Sequence, residues 1–304
     1  MPHSTIAIIG APMDLGAGRR GVDMGASAVR LANLNGRLSE LGYHVEDLGN
    51  VPAAQPESNP IGPSNARYLP QITDTCTRLA AAVEKALGEK RFPLILGGDH
   101  SIAAGTVAGA SAHFRETGRK IGLIWVDAHS DMNTPETSPS GNVHGMPLAC
   151  CVGMGPRELT HIGGHVPIVD PHSVALVGIR SVDELERRNI QRAGLRVFTM
   201  RNIDEQGLRA VMSEAIAVAS QGTDVFHVSF DMDSVDPREA PGVGTPVPGG
   251  LTYREAHLAM EMICDSGKMR SMDVVEVNPV IDEANRTAML AVELILSALG
   301  KRIL

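Results

Sequence analysis

Three clusters of aspartate and histidine stand directly after apolar runs. PLIL (93–96) leads into Gly97-Gly98-Asp99-His100-Ser101, IGLIWV (121–126) into Asp127-Ala128-His129-Ser130-Asp131, and VFHVSF (225–230) into Asp231-Met232-Asp233. In extended chain successive side chains alternate faces, so Asp127, His129 and Asp131 are expected to point one way, as are Asp231 and Asp233. Carboxylates forced together repel and raise one another's pKa unless cations neutralise them. Four aspartates (Asp127, Asp131, Asp231, Asp233) balance two divalent cations in formal charge, leaving a bridging hydroxide to face a cationic substrate. Imidazole and carboxylate donors without thiolate suit manganese, while zinc and cobalt accept the same donors. A lone D-x-H or D-x-D is ordinary loop or cap chemistry; recurrence at three strand ends carries the metal reading.

A second constellation begins two residues after Asp131: Asn133-Thr-Pro-Glu-Thr-Ser138-Pro-Ser140-Gly141-Asn142-Val-His144-Gly145. Its Asn, Ser, Pro and Gly residues mark an irregular loop, which by itself is turn chemistry. Beside a metal site, Asn133, Ser140 and Asn142 can donate hydrogen bonds to a substrate carboxylate, and His144, with an unperturbed pKa near neutrality, can shuttle protons. A third constellation combines Gly244-Thr245-Pro246 with Glu276-Val-Asn278-Pro279 after a further apolar run. Glu276 there reads equally as a partner for a cationic group or as part of an exposed turn.

These residues need a scaffold that gathers strand ends. Strands are expected at 5–9, 93–96, 121–126, 174–179, 225–230 and 272–277, and helices at roughly 24–41, 68–88, 102–117, 184–193, 204–220, 253–265 and 283–298. Such alternation specifies an α/β fold, helices covering both faces of a mainly parallel sheet, and ligands bind such sheets beyond the carboxyl ends of the strands. Thr252-x-x-Glu255 and Ser181-x-x-Glu184 read as capping boxes. Residues 50–66 look like a long surface loop, and no composition break divides the chain, so one domain over 1–304 is expected.

Composition excludes other classes. At 304 residues, with 43% hydrophobic and 20% charged, the chain can bury a large core without a structural metal. Lys plus Arg number 27 against 35 Asp plus Glu, a net charge of −8 that disfavours nucleic acid. Cys76, Cys150, Cys151 and Cys264 form no zinc-ribbon or C-x-x-C pattern, which fits a reducing compartment. No stretch approaches the roughly 18 apolar residues of a membrane helix, and the N-terminus carries no basic, long-apolar signal, so a cytoplasmic location is expected. Gly16-Ala-Gly18-Arg-Arg-Gly21 satisfies G-x-G-x-x-G but follows its strand too loosely, with Pro12 between, for a dinucleotide turn. A loop near the site mouth or a subunit contact, with Arg19 and Arg20 solvated or paired, suits it better. Trp125 and histidines such as His3, His44, His113, His161, His165, His172 and His257 read as packing, surface or satisfied core residues.

With those motifs assembled, the sequence resembles the bacterial-type arginases of the ureohydrolase family. GGDHS, DAHSDMN, SGNVHG, SFDMDSVDP and GTPVPGGLTYRE occur in that order, and the likeness runs from GAPMDLGAGRRGVDMGASAVR to EVNPVIDEANRTA. The resemblance implies a single-domain, three-layer α/β/α fold and a homotrimer or homohexamer that hydrolyses L-arginine to L-ornithine and urea by attack of a metal-bridging hydroxide. It implies two Mn2+ per subunit, one held by His100, Asp127, Asp131 and Asp231, the other by Asp127, His129, Asp231 and Asp233. Asp131 would also carry a proton to the departing amine, and His144 would relay protons to bulk water. Asn133, Ser140 and Asn142 match contacts to the α-carboxylate, Asp183 and Glu186 the acidic pair near the α-amino group, and Thr245 and Glu276 the surroundings of the guanidinium. Agmatinase-like relatives keep the metal motifs without the SGNVHG stretch, which favours arginine over agmatine. A catalytically silent relative would be expected to lack a ligand, and all six are present.

Overall fold

The computed structural model describes residues 5–302; His3 lies outside them. Eight strands form one sheet: β1 (Thr5–Ala11), β2 (His44–Asn50), β3 (Phe92–Gly97), β4 (Ile121–Val126), β5 (Val174–Ile179), β6 (Arg196–Thr199), β7 (Val225–Asp231) and β8 (Met269–Val275). Their order is β2-β1-β3-β8-β7-β4-β5-β6, every neighbouring pair parallel. The helices are α1 (Gly25–Leu31), α2 (Leu34–Glu40), α3 (Leu69–Gly88), α4 (Ala103–Glu116), α5 (Pro147–Cys151), α6 (Arg157–Thr160), α7 (Glu184–Ala193), α8 (Met200–Gln206), α9 (Leu208–Ala219), α10 (Tyr253–Ser266) and α11 (Arg286–Ala298). Parallel strands need crossovers, and helices on both faces supply them.

Alternation along the strands builds two cores. Ile124 and Val126 of β4 join the core under α1, α2, α9, α10 and α11. Ile121, Leu123 and Trp125 of the same strand join the core under α3, α4 and α5. The three-layer α/β/α architecture is therefore the one the apolar alternation specifies, with a sheet that is parallel throughout.

Several expectations need correction. β2 and β6 were not expected: HVEDLGN is largely exposed and RVFT is short, because edge strands lack a neighbour on one side and so lose the apolar signal. The expected helix 24–41 is two helices, broken where Asn33 takes a left-handed conformation at φ 64°. Gly207 similarly separates α8 from α9 within the expected 204–220. The segment expected as a strand at 272–277 pairs from Met269 and ends at Val275. Thr252 and Glu255 form the expected capping box, whereas Ser181 and Glu184 do not. The amides of Arg180 and Ser181 both bond to Ala128 carbonyl, which ties Ser181 to the strand exit and moves the cap to Asp183 with Glu186.

Candidate metal centre and substrate pocket

At or just beyond the ends of β3, β4 and β7 stands an aspartate that folds back on its own chain. Asp99 accepts the Ser101 amide at 3.0 Å, Asp127 the His129 amide at 2.7 Å and Asp231 the Asp233 amide at 2.7 Å. This local bond is why D-x-H and D-x-D recur: a short acidic side chain caps the turn that leaves the strand. The expected convergence thus arises from tight turns rather than extended alternation. Met232–Ser234 is a 3-10 turn, and Asp131 has φ 52°, which swings its carboxylate inward.

The turns bring together the donors singled out from sequence. The Nδ1 of His100 lies 3.1 Å from Asp127 Oδ2, 3.1 Å from Asp131 Oδ2 and 3.1 Å from Asp231 Oδ2. His129 Nδ1 lies 3.0 Å from Asp233 Oδ2 and 3.6 Å from Asp127 Oδ1. Among the described residues, His100, Asp127 and Asp231 form one set and Asp127, His129 and Asp233 another, each with its donor atoms within 4.8 Å of one another, so Asp127 belongs to both. His100 Nδ1 and Asp131 Oδ2 are buried without a hydrogen-bond partner. Unsatisfied buried polar atoms are costly, and a donor set of two imidazoles and four carboxylates suits a pair of hard-to-borderline divalent cations. Burial, reinforced by Asp127, pushes the Asp131 carboxyl up to about 7. Burial and the neighbouring Asp233 and Asp127 likewise push Asp231 well above the usual carboxylate range. That is the charge problem a cation would solve.

Glu276, with φ 64°, closes the centre from β8. Its Oε1 accepts the His100 amide at 3.0 Å and meets His144 Nδ1 at 3.0 Å, while Oε2 is buried without a partner. It is a buried site residue, not an exposed turn. Burial pulls the His144 pKa down, but the Glu276 carboxylate dominates and holds it up at about 9. Thr245 Oγ1 donates to Asp233 Oδ2 at 2.9 Å.

A cleft above these groups is lined by Asn133, Ser138, Ser140, Asn142, His144, Ser181, Asp183, Glu186 and Thr245, with His100, His129, Asp131 and Asp231 also contributing. Every singled-out residue lies at the cleft or directly behind it. Asn133 Nδ2 donates to Asp183 Oδ2 at 3.0 Å. Glu186 is already committed: Oε1 accepts from Ser130 Oγ and the Met132 amide, and Oε2 from the Asp183 amide. It fixes the loop instead of presenting a free carboxylate. The glycine-rich 16–21 segment packs against the loop that carries His144: Gly16 carbonyl accepts the His144 amide and its own amide donates to Asp99. Arg20 in that segment is paired with Asp14 and Glu57.

Residues 4–300 match the model of the arginase family. An arginase of Bacillus caldovelox is 50% identical over 300 residues, 98% of this chain and 99% of that protein. This chain belongs to the arginase family. The native structure of the Bacillus caldovelox arginase superposes with a TM-score of 0.95, covering 99% of this chain and all (100%) of that one. Within the arginase family, the Bacillus subtilis arginase is 49% identical over 99% of both chains. The Entamoeba histolytica arginase, solved with L-ornithine, is 35% identical with a TM-score of 0.90 over 99% of this chain and 100% of that one.

Sequence reasoning missed three residues that the arginase-family scaffold places behind the centre: His227, Ser229 and Asp273. It also gave Trp125 only a packing role, yet its indole stacks on His100 at 4.1 Å and donates to Asp127 Oδ2 at 3.0 Å. The available signal was a polar residue inside an apolar strand, His227 and Ser229 in VFHVSF and Asp273 in MDVVEV.

Proposed function

We propose that this arginase-family enzyme hydrolyses L-arginine to L-ornithine and urea at a pair of divalent ions, with manganese as the first choice and cobalt or another divalent metal able to substitute. The observation that carries this reading is the convergence of three carboxylate oxygens, from Asp127, Asp131 and Asp231, on the unpartnered Nδ1 of buried His100. His100, Asp127, Asp131 and Asp231 would hold one ion, and Asp127, His129, Asp231 and Asp233 the other. Bound there, the ions would lower the pKa of water enough to provide a nucleophile at neutral pH, which a resonance-stabilised guanidinium requires.

The chain's own residues do the rest. Glu276 Oε2 accepts a guanidinium N–H and holds the group in orientation. Asp131 Oδ2 takes up the proton given up by the attacking water and passes it to the departing ornithine amine. His144, paired with Glu276 and partly open to solvent at 18% side-chain exposure, exchanges protons with bulk water. Asn133, Ser140 and Asn142 bind the α-carboxylate and Asp183 the α-amino group, with Glu186 holding Asp183 in place and Thr245 holding Asp233. The same likeness to the bacterial arginases supports one catalytic domain over 1–304, working in the cytoplasm as a homotrimer or homohexamer.

The test is urea release from L-arginine and from agmatine by chelated enzyme reloaded with manganese. Arginine turnover restored by manganese is the expected result. Preference for agmatine, which has no α-carboxylate, would overturn the roles of Asn133, Ser140 and Asn142, and no urea from either substrate would remove the reading altogether.

A further inference from the structure

Behind the candidate centre, on the face covered by α4, the sheet buries a chain of polar groups that the reaction above does not use. Register sets it out: Trp125 of β4 lies beside Ser229 of β7, and Ser229 beside Asp273 of β8. One residue pair further along the same face stand Asp127 and Asp231. The His100 ring is stacked on Trp125 and directs Nε2 to Ser229 Oγ at 2.9 Å. Ser229 Oγ donates to Asp273 Oδ1 at 2.6 Å, so its proton is committed and its lone pair must accept the His100 Nε2–H. Asp273 Oδ2 accepts from Thr106 Oγ1 at 2.5 Å and meets His227 Nε2 at 3.0 Å, and His227 Nδ1 meets Ser271 Oγ at 2.8 Å. Thr106, His227, Ser229, Ser271 and Asp273 are all 0% exposed. A carboxylate buried this deeply with no Lys or Arg beside it is costly, and simple packing would have been served by an apolar residue.

We infer that Asp273, acting through Ser229, is a positioning residue that fixes His100 with Nε2 protonated and Nδ1 turned toward Asp127, Asp131 and Asp231, and so sets the affinity of the centre for divalent metal. A histidine ligand held by an outer hydrogen bond is oriented before the metal arrives and is a stronger base. Here a hydroxyl is interposed between imidazole and carboxylate. Thr106 and His227 hold the far oxygen of Asp273 and prevent the carboxylate from rotating away. The inference rests on the metal reading above, and the two can fail separately.

The experiment is a manganese titration of metal-free protein, read by quenching of Trp125, the sole tryptophan of the chain, and by ion count after equilibrium dialysis. Ser229→Ala and Asp273→Asn are expected to weaken binding by roughly 10- to 100-fold, the scale of losing an outer partner of a metal ligand. Thr106→Val, which removes one of the two donors to the far oxygen of Asp273 and leaves His227 and the path to His100 in place, is expected to weaken binding less than either of these variants. The double variant should bind no more weakly than the worse single one, because both cut one chain. Unchanged affinity in both single variants, or losses that simply add, would overturn the inference, as would losses confined to the melting temperature of the metal-free protein. If Ser229→Ala does not fold, Ser229→Cys, close in shape but a weak donor and acceptor, carries the same test. No manganese uptake by the unmodified protein would overturn the metal reading and this inference with it; normal uptake there, with unchanged variants, overturns the inference alone.

Discussion

Asp131 and Glu276 both sit in the left-handed region, at φ 52° and 64°, without being glycine. Such conformations cost of order 1–3 kcal/mol and persist where the surroundings over-determine them, here to aim two carboxylates into one cleft. Glu276→Gln keeps the shape and removes the charge that orients the guanidinium, so kcat/KM for L-arginine should fall by roughly 10²–10³-fold, the scale of losing one preorganised electrostatic contact. Metal content, measured by ion count, should hold. His144→Asn should lower kcat by about 10²-fold, within the range for a positioned acid–base group, again with metal retained; loss of both ions in that variant would assign the histidine another role. His144 also gives a pH signature in the metal-free protein. The neighbouring Glu276 carboxylate outweighs burial and raises its folded pKa from the ordinary 6.5 of an imidazole to about 9. The folded state therefore holds the proton more tightly, and the contribution is full below pH 6.5 and lost as pH rises through 9. Metal-free His144→Asn should show a shallower fall in melting temperature over that window than metal-free unmodified protein.

Among the elements, the turns after β3, β4 and β7 and the loop at 138–145 do the positioning. Gly98 has no room for a side chain, since a Cβ there would stand 1.8 Å from the Met13 carbonyl oxygen. Gly141 has φ 70°, and a Cβ on it would meet Ser64 carbonyl oxygen at 1.9 Å. Its own carbonyl accepts the Arg67 amide at 2.9 Å, so Arg67 and the end of the segment expected as surface loop (50–66) brace the proposed carboxylate-binding loop. Gly141→Ala should displace Ser140 and Asn142, raising KM for L-arginine several-fold or more while leaving metal content intact; an unchanged KM would remove those residues from substrate binding. The capping box at α7 makes the related point for Asp183 and Glu186. The helix itself begins where expected, but its cap is Asp183 with Glu186, two residues beyond Ser181 and Glu184, so the cap and the pocket wall share the same residues.

For the molecule as a whole, the metal is expected to be a stability term as well as a chemical one. Anything that binds only the folded state adds about 2.7 kcal/mol at a free concentration 100 times its Kd. In the metal-free protein, burial and mutual repulsion raise Asp131 to about 7 and push Asp231 and Asp233 upward. A raised acid pKa means that folding costs more as pH rises past the unfolded value, near 3.8, toward the folded one, and bound cations cancel that cost. The melting temperature of manganese-loaded protein should therefore exceed that of chelated protein, with a gap that widens from pH 6 to 8; a gap that narrows would contradict the ligand assignment. The sequence by itself determined the central buried strands, the helical layers and the three clusters of aspartate and histidine at the strand ends, because apolar alternation and strand-end motifs are local. Only the tertiary structure decided the edge strands, the commitment of Glu186 to the backbone, and the placing of Trp125, Ser229, Asp273 and His227 behind His100. Those depend on sheet register between strands far apart in the chain, where a lone polar residue in an apolar run shows that a partner must exist but not which one.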